Sequence, residues 1–330
     1  MNAATMTAIA VRGGAGSADA LHAVRVPVPI PETGQVLLRV RAAGVNRPDL
    51  LQREGRYPPP PGASATLGLE VAGEVVIAAG RWQVGDRVCA LLGGGGYAEY
   101  VAVDARHVLP IPFAAAVDGS DFIRAAALPE TVFTVYANVF EHGALKAGET
   151  LLLHGATSGI GVMAMQMAKA AGARVIATTR GAAKAATARA LGADIVVDAL
   201  VEDFGEVARA AGGVDVALDM VGAPYFEQTL HALNTGGRIV YIAAQAGGEL
   251  RVPVWTLMRK RALITGSTLR PRSADEKARL AAAVQAVVWP WIAQGTVDAV
   301  VDRVFPLAQA GLAHAYLERG GHVGKVVLAV

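Results

Sequence analysis

The chain has 330 residues, more than one hydrophobic core usually serves, and 53% are apolar against 18% charged, which predicts two well-buried domains and excludes a disordered chain. A net charge of +2 from scattered lysines and arginines forms no basic stripe and argues against nucleic-acid binding. The lone cysteine, Cys89, excludes an internal disulfide and fits a reducing cytoplasm; no apolar run reaches membrane-span length, and MNAATMTAIAVRGG lacks the basic start of a secretory signal.

In chain order, short β-branched runs bounded by glycine and proline predict strands at QVLLRVRAAGV, EVAGEVVIA, DRVCALL and YAEYVAVD, as in a barrel or compact β domain. Cys89 falls inside the third run, where a buried, inert thiol is expected. GGGG at 93–96 has β pattern on both flanks and reads as a turn. After the first strand comes AGVNRPDLLQREGRYPPPPG, residues 43–62, in which an amide, an acid, arginines and a tyrosine precede four prolines. Such a stretch is either a pocket wall or a stiff surface loop.

From about Ala125 apolar runs of strand length alternate with alanine-rich helical stretches: TLLLHG, IGVMAMQMAKAAG, RVIATT, AAKAATARALG, DIVV, and on through VDVALDMV and GGRIVYIAA. Strands apolar on both faces mark a parallel sheet covered by helices. After the helix ADEKARLAAAVQAVV, the tail returns to β pattern in DRVFPL and VGKVVLAV. The expected fold class is therefore α/β: a discontinuous β domain of residues 1–125 and 300–330, and a doubly wound dinucleotide-binding domain of residues 126–299.

LLLHGATSGIGVMAMQMAK sets Gly155, Ser158, Gly159, Ile160 and Gly161 between a strand and a long helix, the context a dinucleotide turn requires. Small residues let the backbone approach a pyrophosphate, and the helix N-terminus supplies N–H donors. An NAD site carries an acid at the end of the second strand. Here Thr179 and Arg180 end it and Lys184 follows, a set suited to a 2′-phosphate, so NADPH is the expected cofactor. The spacing also fits short-chain dehydrogenases, but no tyrosine is followed four residues later by the lysine they use. Seven histidines make no pair with metal-ligand spacing.

AAGVNRPDLLQREGRYPPPPG, LGLEVAGEV, GDRV, GGYAEYV, AAALPETVFTVY, LLLHGATSGIG and the closing GKVVL resemble the medium-chain dehydrogenase/reductases over essentially the whole chain. Within them the chain is similar to the zinc-independent NADPH quinone oxidoreductases related to zeta-crystallin, in particular the subgroup induced by a tumour suppressor in animals. Ser158 and Gly155 depart from the commoner small residues of that family's turn. The resemblance implies a GroES-like β domain joined to a Rossmann domain. It implies no metal, because zinc-dependent relatives place a cysteine where this chain has Asn46, and a histidine inside the Gly-His-Glu that here reads Gly68-Leu69-Glu70.

The same resemblance places Asn46 beside the nicotinamide as a catalytic and cofactor residue, and Tyr57 against the acceptor as binder first and proton donor second. Asp49 and Arg270 join Tyr57 as substrate residues, with helix capping as the alternative for Asp49. Thr134, Val221, Ile242, Ala243, Thr268, Leu269 and Lys325 are implied around the cofactor. The edge strand RALITGS, residues 261–267, is implied to build a homodimer. Without a Lewis acid, hydride addition to a quinone is the expected reaction, because the developing charge is delocalised onto oxygen. Donors aimed at that oxygen contribute about 2–4 kcal/mol each, with water as proton source. Two other readings stand beside it: reduction of enals or enones, and a low-turnover, crystallin-like NADPH-binding protein.

Overall fold

The computed structural model describes residues 4–330. The chain opens with an antiparallel pair, β1 (Thr5–Val11) and β2 (Leu21–Pro27). It continues through β3 (Gln35–Val45), α1 (Arg47–Arg53), β4 (Glu70–Ile77), β5 (Arg87–Leu91), β6 (Tyr100–Asp104) and β7 (Val108–Pro110) to helices α2 (Ser120–Ala125) and α3 (Pro129–Val135). Alternation follows, with β8 (Thr150–His154), α4 (Gly159–Ala170), β9 (Arg174–Thr179), α5 (Ala182–Ala190), β10 (Ile195–Asp198), α6 (Phe204–Ala210) and β11 (Val214–Asp219). Next come α7 (Ala223–Ala232), β12 (Leu233–Tyr241), α8 (Val254–Lys260) and β13 (Leu263–Gly266). The chain ends with α9 (Ala274–Ala293), β14 (Val301–Pro306), α10 (Ala310–Arg319) and β15 (Lys325–Ala329).

Two compact units result. The first takes the chain through Phe133 together with Arg270–Ala293 and Ala299–Val330, and the second takes Thr134–Leu269 and Gln294–Asp298. This differs from the expected boundaries at 125 and 300 because α9 packs with the β domain. His107 Nε2 donates to Ala274 O at 2.8 Å, and Trp289 Nε1 donates to Pro110 O at 2.8 Å. Composition cannot show this, since α9 looks like any other alanine-rich helix of the α/β stretch.

The first unit is a GroES-like β domain whose sheet runs β14-β15-β3-β4-β5-β7, with β6 on β3. Ile9, Val36, Leu38, Val40, Leu50, Val71, Trp82 and Val88 share its core. The register sets Val326 opposite Val45 in the antiparallel β15–β3 pair, so Lys325 arrives beside the end of β3. The second unit is a Rossmann sheet, all parallel, in the order β10-β9-β8-β11-β12-β13. Strand order reverses between β8 and β11, the switch point outside which such sheets bind ligands. Leu152, Ile176, Val197, Phe204, Ala217, Phe226 and Ile239 form the core beneath. Among the described residues no helix is long and apolar enough to cross a membrane.

Candidate active site

In the first unit, β3 delivers Asn46 in extended conformation (φ −129°, ψ 155°) to the head of α1. Asp49, three residues on, accepts the Asn46 backbone N–H at 2.8 Å, satisfying one of the donors a helix start leaves open. The Asn46 side chain turns away from the helix. Its Nδ2 donates to Glu70 Oε1 at 2.8 Å, and its Oδ1 accepts from Lys325 Nζ at 2.5 Å, which fixes which amide atom is which. Lys325 also donates to Val45 O at 3.1 Å and pairs with Glu70 Oε1 at 2.6 Å. All three ammonium protons therefore have acceptors inside the protein. Asn46 keeps one amide proton that no group among the described residues accepts.

A second layer holds this one. Asp49 is fully buried, accepting from Gly68 N at 3.1 Å and from Tyr97 Oη at 3.2 Å as well as from Asn46. Burial pushes its carboxyl up to about 6 against those donors. The Tyr97 hydroxyl also lies 3.0 Å from His314 Nε2, while Arg53 Nη1 approaches His314 Nδ1 at 3.5 Å. Because burial drops the His314 ring to about 3, the imidazole is neutral, and one tautomer satisfies the chain. Arg53 donates to Nδ1, Nε2–H donates to the tyrosine oxygen, and the tyrosine donates to Asp49.

Tyr57 stands half-buried next to the four prolines. The Arg270 guanidinium lies 5.4 Å from its ring centroid, donates to Gly93 O at 2.8 Å and to Gln52 Oε1 at 2.7 Å, and reaches Tyr57 O at 3.4 Å. Lys277 Nζ donates to Arg270 O at 2.7 Å. Burial raises the Tyr57 phenol above its ordinary value, and the charge of Glu130 raises it further. Glu130, on the first turn of α3, donates its backbone N–H to Glu70 Oε2 at 2.9 Å. Burial, followed by the charge of Glu70, pushes the Glu130 carboxyl up to about 8.

In the second unit the turn after β8 has Gly155 at φ 70°, and Ser158 Oγ caps α4 by accepting from Gly161 N at 3.0 Å. A Cβ on Gly161 would strike the carbonyl oxygens of Gly155 and Ala156, so only glycine lets the helix start this close to the turn. At the end of β9 the Thr179 hydroxyl is buried without a hydrogen-bond partner. Arg180 is exposed and Lys184 half-buried beyond it. Asp198, across on β10, spends Oδ1 on Gly181 N at 2.9 Å and Leu200 N at 3.1 Å. Ile242, Ala243 and Thr268 come together around an open cavity of about 640 Å³ with Gly222, at the carboxyl ends of β12 and β13. Thr134 O accepts from Asn138 Nδ2 at 2.9 Å, on the π-helical turn Tyr136–His142 that also receives Ser267 Oγ at 2.8 Å.

Three of the expected site residues have their own partners in this geometry. Lys325 is only 5% exposed with every donor engaged, and it clamps Asn46. Asp49 is 0% exposed and caps α1, the alternative read for it beside a substrate role. Arg270 presents its face to the Tyr57 ring while its donors tie the loop to Gly93 and Gln52. The residues that went unread are Glu70 as a clamp, Tyr97, His314, Glu130 and Lys277. Glu130 in PETVFTV carried a signal, an acid at the first turn of an otherwise apolar helix; His314 carried none.

A GroES-like domain and a Rossmann unit with a buried polar centre define an oxidoreductase of a nicotinamide cofactor. Residues 32–113 match the alcohol dehydrogenase GroES-like domain, and residues 191–328 match the zinc-binding dehydrogenase family. The quinone oxidoreductase of Lama guanicoe is 33% identical over 319 residues, covering 92% of this chain and 91% of that protein. A solved NAD-dependent alcohol dehydrogenase superposes with a TM-score of 0.85 at 30% identity, covering 98% of this chain and 99% of the other. A mycobacterial protein solved in complex with NADPH superposes at 0.83 with 28% identity, covering 98% and 100%. The chain belongs to the medium-chain dehydrogenase/reductase superfamily, in the family of the quinone oxidoreductases.

The donor set does not fit the zinc of the family's metal-dependent branch. Asn46 and Leu69 supply no thiolate or imidazole, the Lys325 ammonium already neutralises Glu70, and among the described residues no group of three or more His, Cys, Asp or Glu could hold a metal. The second unit does fit a dinucleotide: the close turn at Gly155–Gly161 accepts a phosphate backbone, and the orphaned Thr179 hydroxyl gains a partner.

Proposed function

We propose that this oxidoreductase is a cytoplasmic NADPH-dependent quinone reductase that works without zinc. Gly155, Ser158, Gly159, Ile160 and Gly161 would hold the pyrophosphate, with Thr179, Arg180 and Lys184 toward the 2′-phosphate. Thr134, Val221, Ile242, Ala243, Thr268 and Leu269 would surround the nicotinamide end, where the bound cofactor supplies a hydride. The observation that carries the reading is the clamped amide. Asn46 is immobilised by an acceptor on one side and an ammonium on the other, and retains one proton to donate. A preorganised donor in a dry site stabilises charge developing on a carbonyl oxygen without reorganising. Tyr57 adds a planar ring, held under Arg270, on which a quinone can stack.

The exposed Arg180 and the half-buried Lys184 support NADPH over NADH, since Asp198, the acid across from them on β10, is occupied by backbone N–H groups. The buried free thiol of Cys89 suits a reducing compartment. A homodimer is part of the same reading: β13 forms the edge of the sheet, with Leu263 exposed on it and Trp255 and Met258 exposed on α8.

The test is a panel of ortho-quinones, para-quinones and simple enones, each with NADPH and NADH, before and after chelation. Quinones are reduced fastest, NADPH is preferred, and a chelator changes nothing. Preference for NADH would sink the role of Arg180 and Lys184, and faster turnover of enones would move the acceptor class. Tight NADPH binding with no turnover would leave a binding protein.

A further inference from the structure

Within the second unit, Asp219 ends β11 with 0% exposure, and its two oxygens have different surroundings. Oδ1 accepts from Val221 N at 2.7 Å and from Gly222 N at 2.9 Å, closing the chain into a tight turn just past the strand. Oδ2 has no hydrogen-bond partner among the described residues and lies 3.9 Å from Nε2 of the buried His154, at the end of the neighbouring strand β8. The His154 ring is committed elsewhere, to the hydroxyls of Thr178 at 2.9 Å and Thr229 at 3.2 Å. The acid therefore holds the chain through one oxygen, and a carboxamide would present the same acceptor.

The turn so held is a template for the next loop. Ile242 N donates to Asp219 O, Ala246 N to Val221 O and Ala223 N to Gly247 O, each at 2.9 Å, so the segment after β11 and the segment after β12 are laced together by backbone bonds. On the other side the Met220 sulfur lies 3.9 Å from Ser158 Oγ, against the turn that begins at Gly155. Gly222, Ile242 and Ala243 of the two laced segments line the cavity of about 640 Å³, whereas Asp219 is set back from its wall. We propose that Asp219 is a positioning residue for the cofactor, which sets the 220–222 turn through Oδ1, and the 242–247 loop through that turn, before any dinucleotide binds. The inference rests on the nicotinamide-cofactor reading above. A wall already ordered spares the ligand the entropy of ordering it. Without the acceptor, the N–H groups of Val221 and Gly222 lose their partner and binding has to order both segments.

The test compares full-length wild type with Asp219→Asn, which keeps the Oδ1 acceptor, and Asp219→Ala, which removes it. Fluorescence titration with NADPH and with NADH reads affinity. Asp219→Asn binds as wild type does, while Asp219→Ala binds about 10- to 100-fold more weakly, the loss expected for two hydrogen bonds. Amide hydrogen exchange without ligand separates positioning from general destabilisation. In Asp219→Ala, faster exchange is confined to residues 220–222 and 242–247, and strands β8 and β9 keep their protection. An Asp219→Ala chain that binds as tightly as wild type, or an Asp219→Asn chain as weak as Asp219→Ala, overturns the proposal. So does faster exchange throughout the second unit, the mark of an acid that only holds the fold. If Asp219→Ala does not fold, wild-type exchange decides, because Val221 and Gly222 amides that exchange freely without ligand show that the turn is not preset. A wild type that binds neither dinucleotide overturns the cofactor reading and this inference with it, whereas wild-type binding matched by Asp219→Ala overturns the inference alone.

Discussion

The Lys325 ammonium balances a buried carboxylate, and the pair has a measurable signature. Glu70 is 0% exposed and its charge is balanced by Lys325 at 2.6 Å. Lys325→Met leaves that carboxylate buried and alone, which costs about 3–5 kcal/mol. Adding Glu70→Gln removes the orphan charge, so the double variant melts above the single, read by calorimetry. A double variant no more stable than the single would show that the pair does not share one environment. Of this centre, Asn46 was named through the resemblance that AAGVNRPDLLQREGRYPPPPG carries to the family. His314 was not: it meets Tyr97 across 217 residues, and nothing local in AHAYLE marks a histidine that must stay neutral.

At the level of elements, the β3 strand, the β8–α4 turn and the alternation through β12 follow directly from apolar period and glycine placement. α10 was overlooked because its buried positions, Ala310, Ala313 and His314, are two small residues and a polar one, too weak a stripe to announce a helix. β13 was read as an edge strand and is one. If, as proposed, it pairs with a second copy, Leu263→Lys, which places charge on the edge, yields monomers by sedimentation equilibrium at micromolar concentration, while the proposed NADPH affinity of each chain is retained. A wild-type protein that sediments as a monomer would remove the dimer from the reading.

Across the whole molecule, buried titratable groups give stability a pH dependence whose sign can be worked out. Asp49 and Asp219, each raised from 3.8 to about 6, contribute stability that is full below 3.8 and lost as pH rises through 6. His154 and His314, lowered from 6.5 to about 3, contribute stability that is full above 6.5 and lost on acidification. Glu130, raised from 4.5 to about 8, goes on losing its contribution as pH rises through 8, above the range where those four change most. Between pH 6.5 and 8 the wild-type melting temperature therefore falls more steeply than that of Glu130→Gln, as differential scanning fluorimetry would measure. Equal slopes would mean that Glu130 is ionised throughout. The domain division was legible in outline from the change of pattern near Ala125, but the attachment of α9 depends on contacts such as Trp289 with Pro110, 179 residues apart.

The β15–β3 pair also orders the folding of the chain in time. Asn46 and Lys325 are 279 residues apart, so the amide is clamped only after nearly the entire polypeptide has been threaded into place. The thermodynamic penalty of so long a loop is modest, about 0.6 kcal/mol for each doubling, but non-local pairings of this kind form slowly. The strands of the Rossmann sheet, by contrast, are gathered from a single continuous run of chain. A refolding chain thus acquires its Rossmann fold early and the proposed reactive centre last, so recovery of cofactor affinity is expected to precede recovery of turnover.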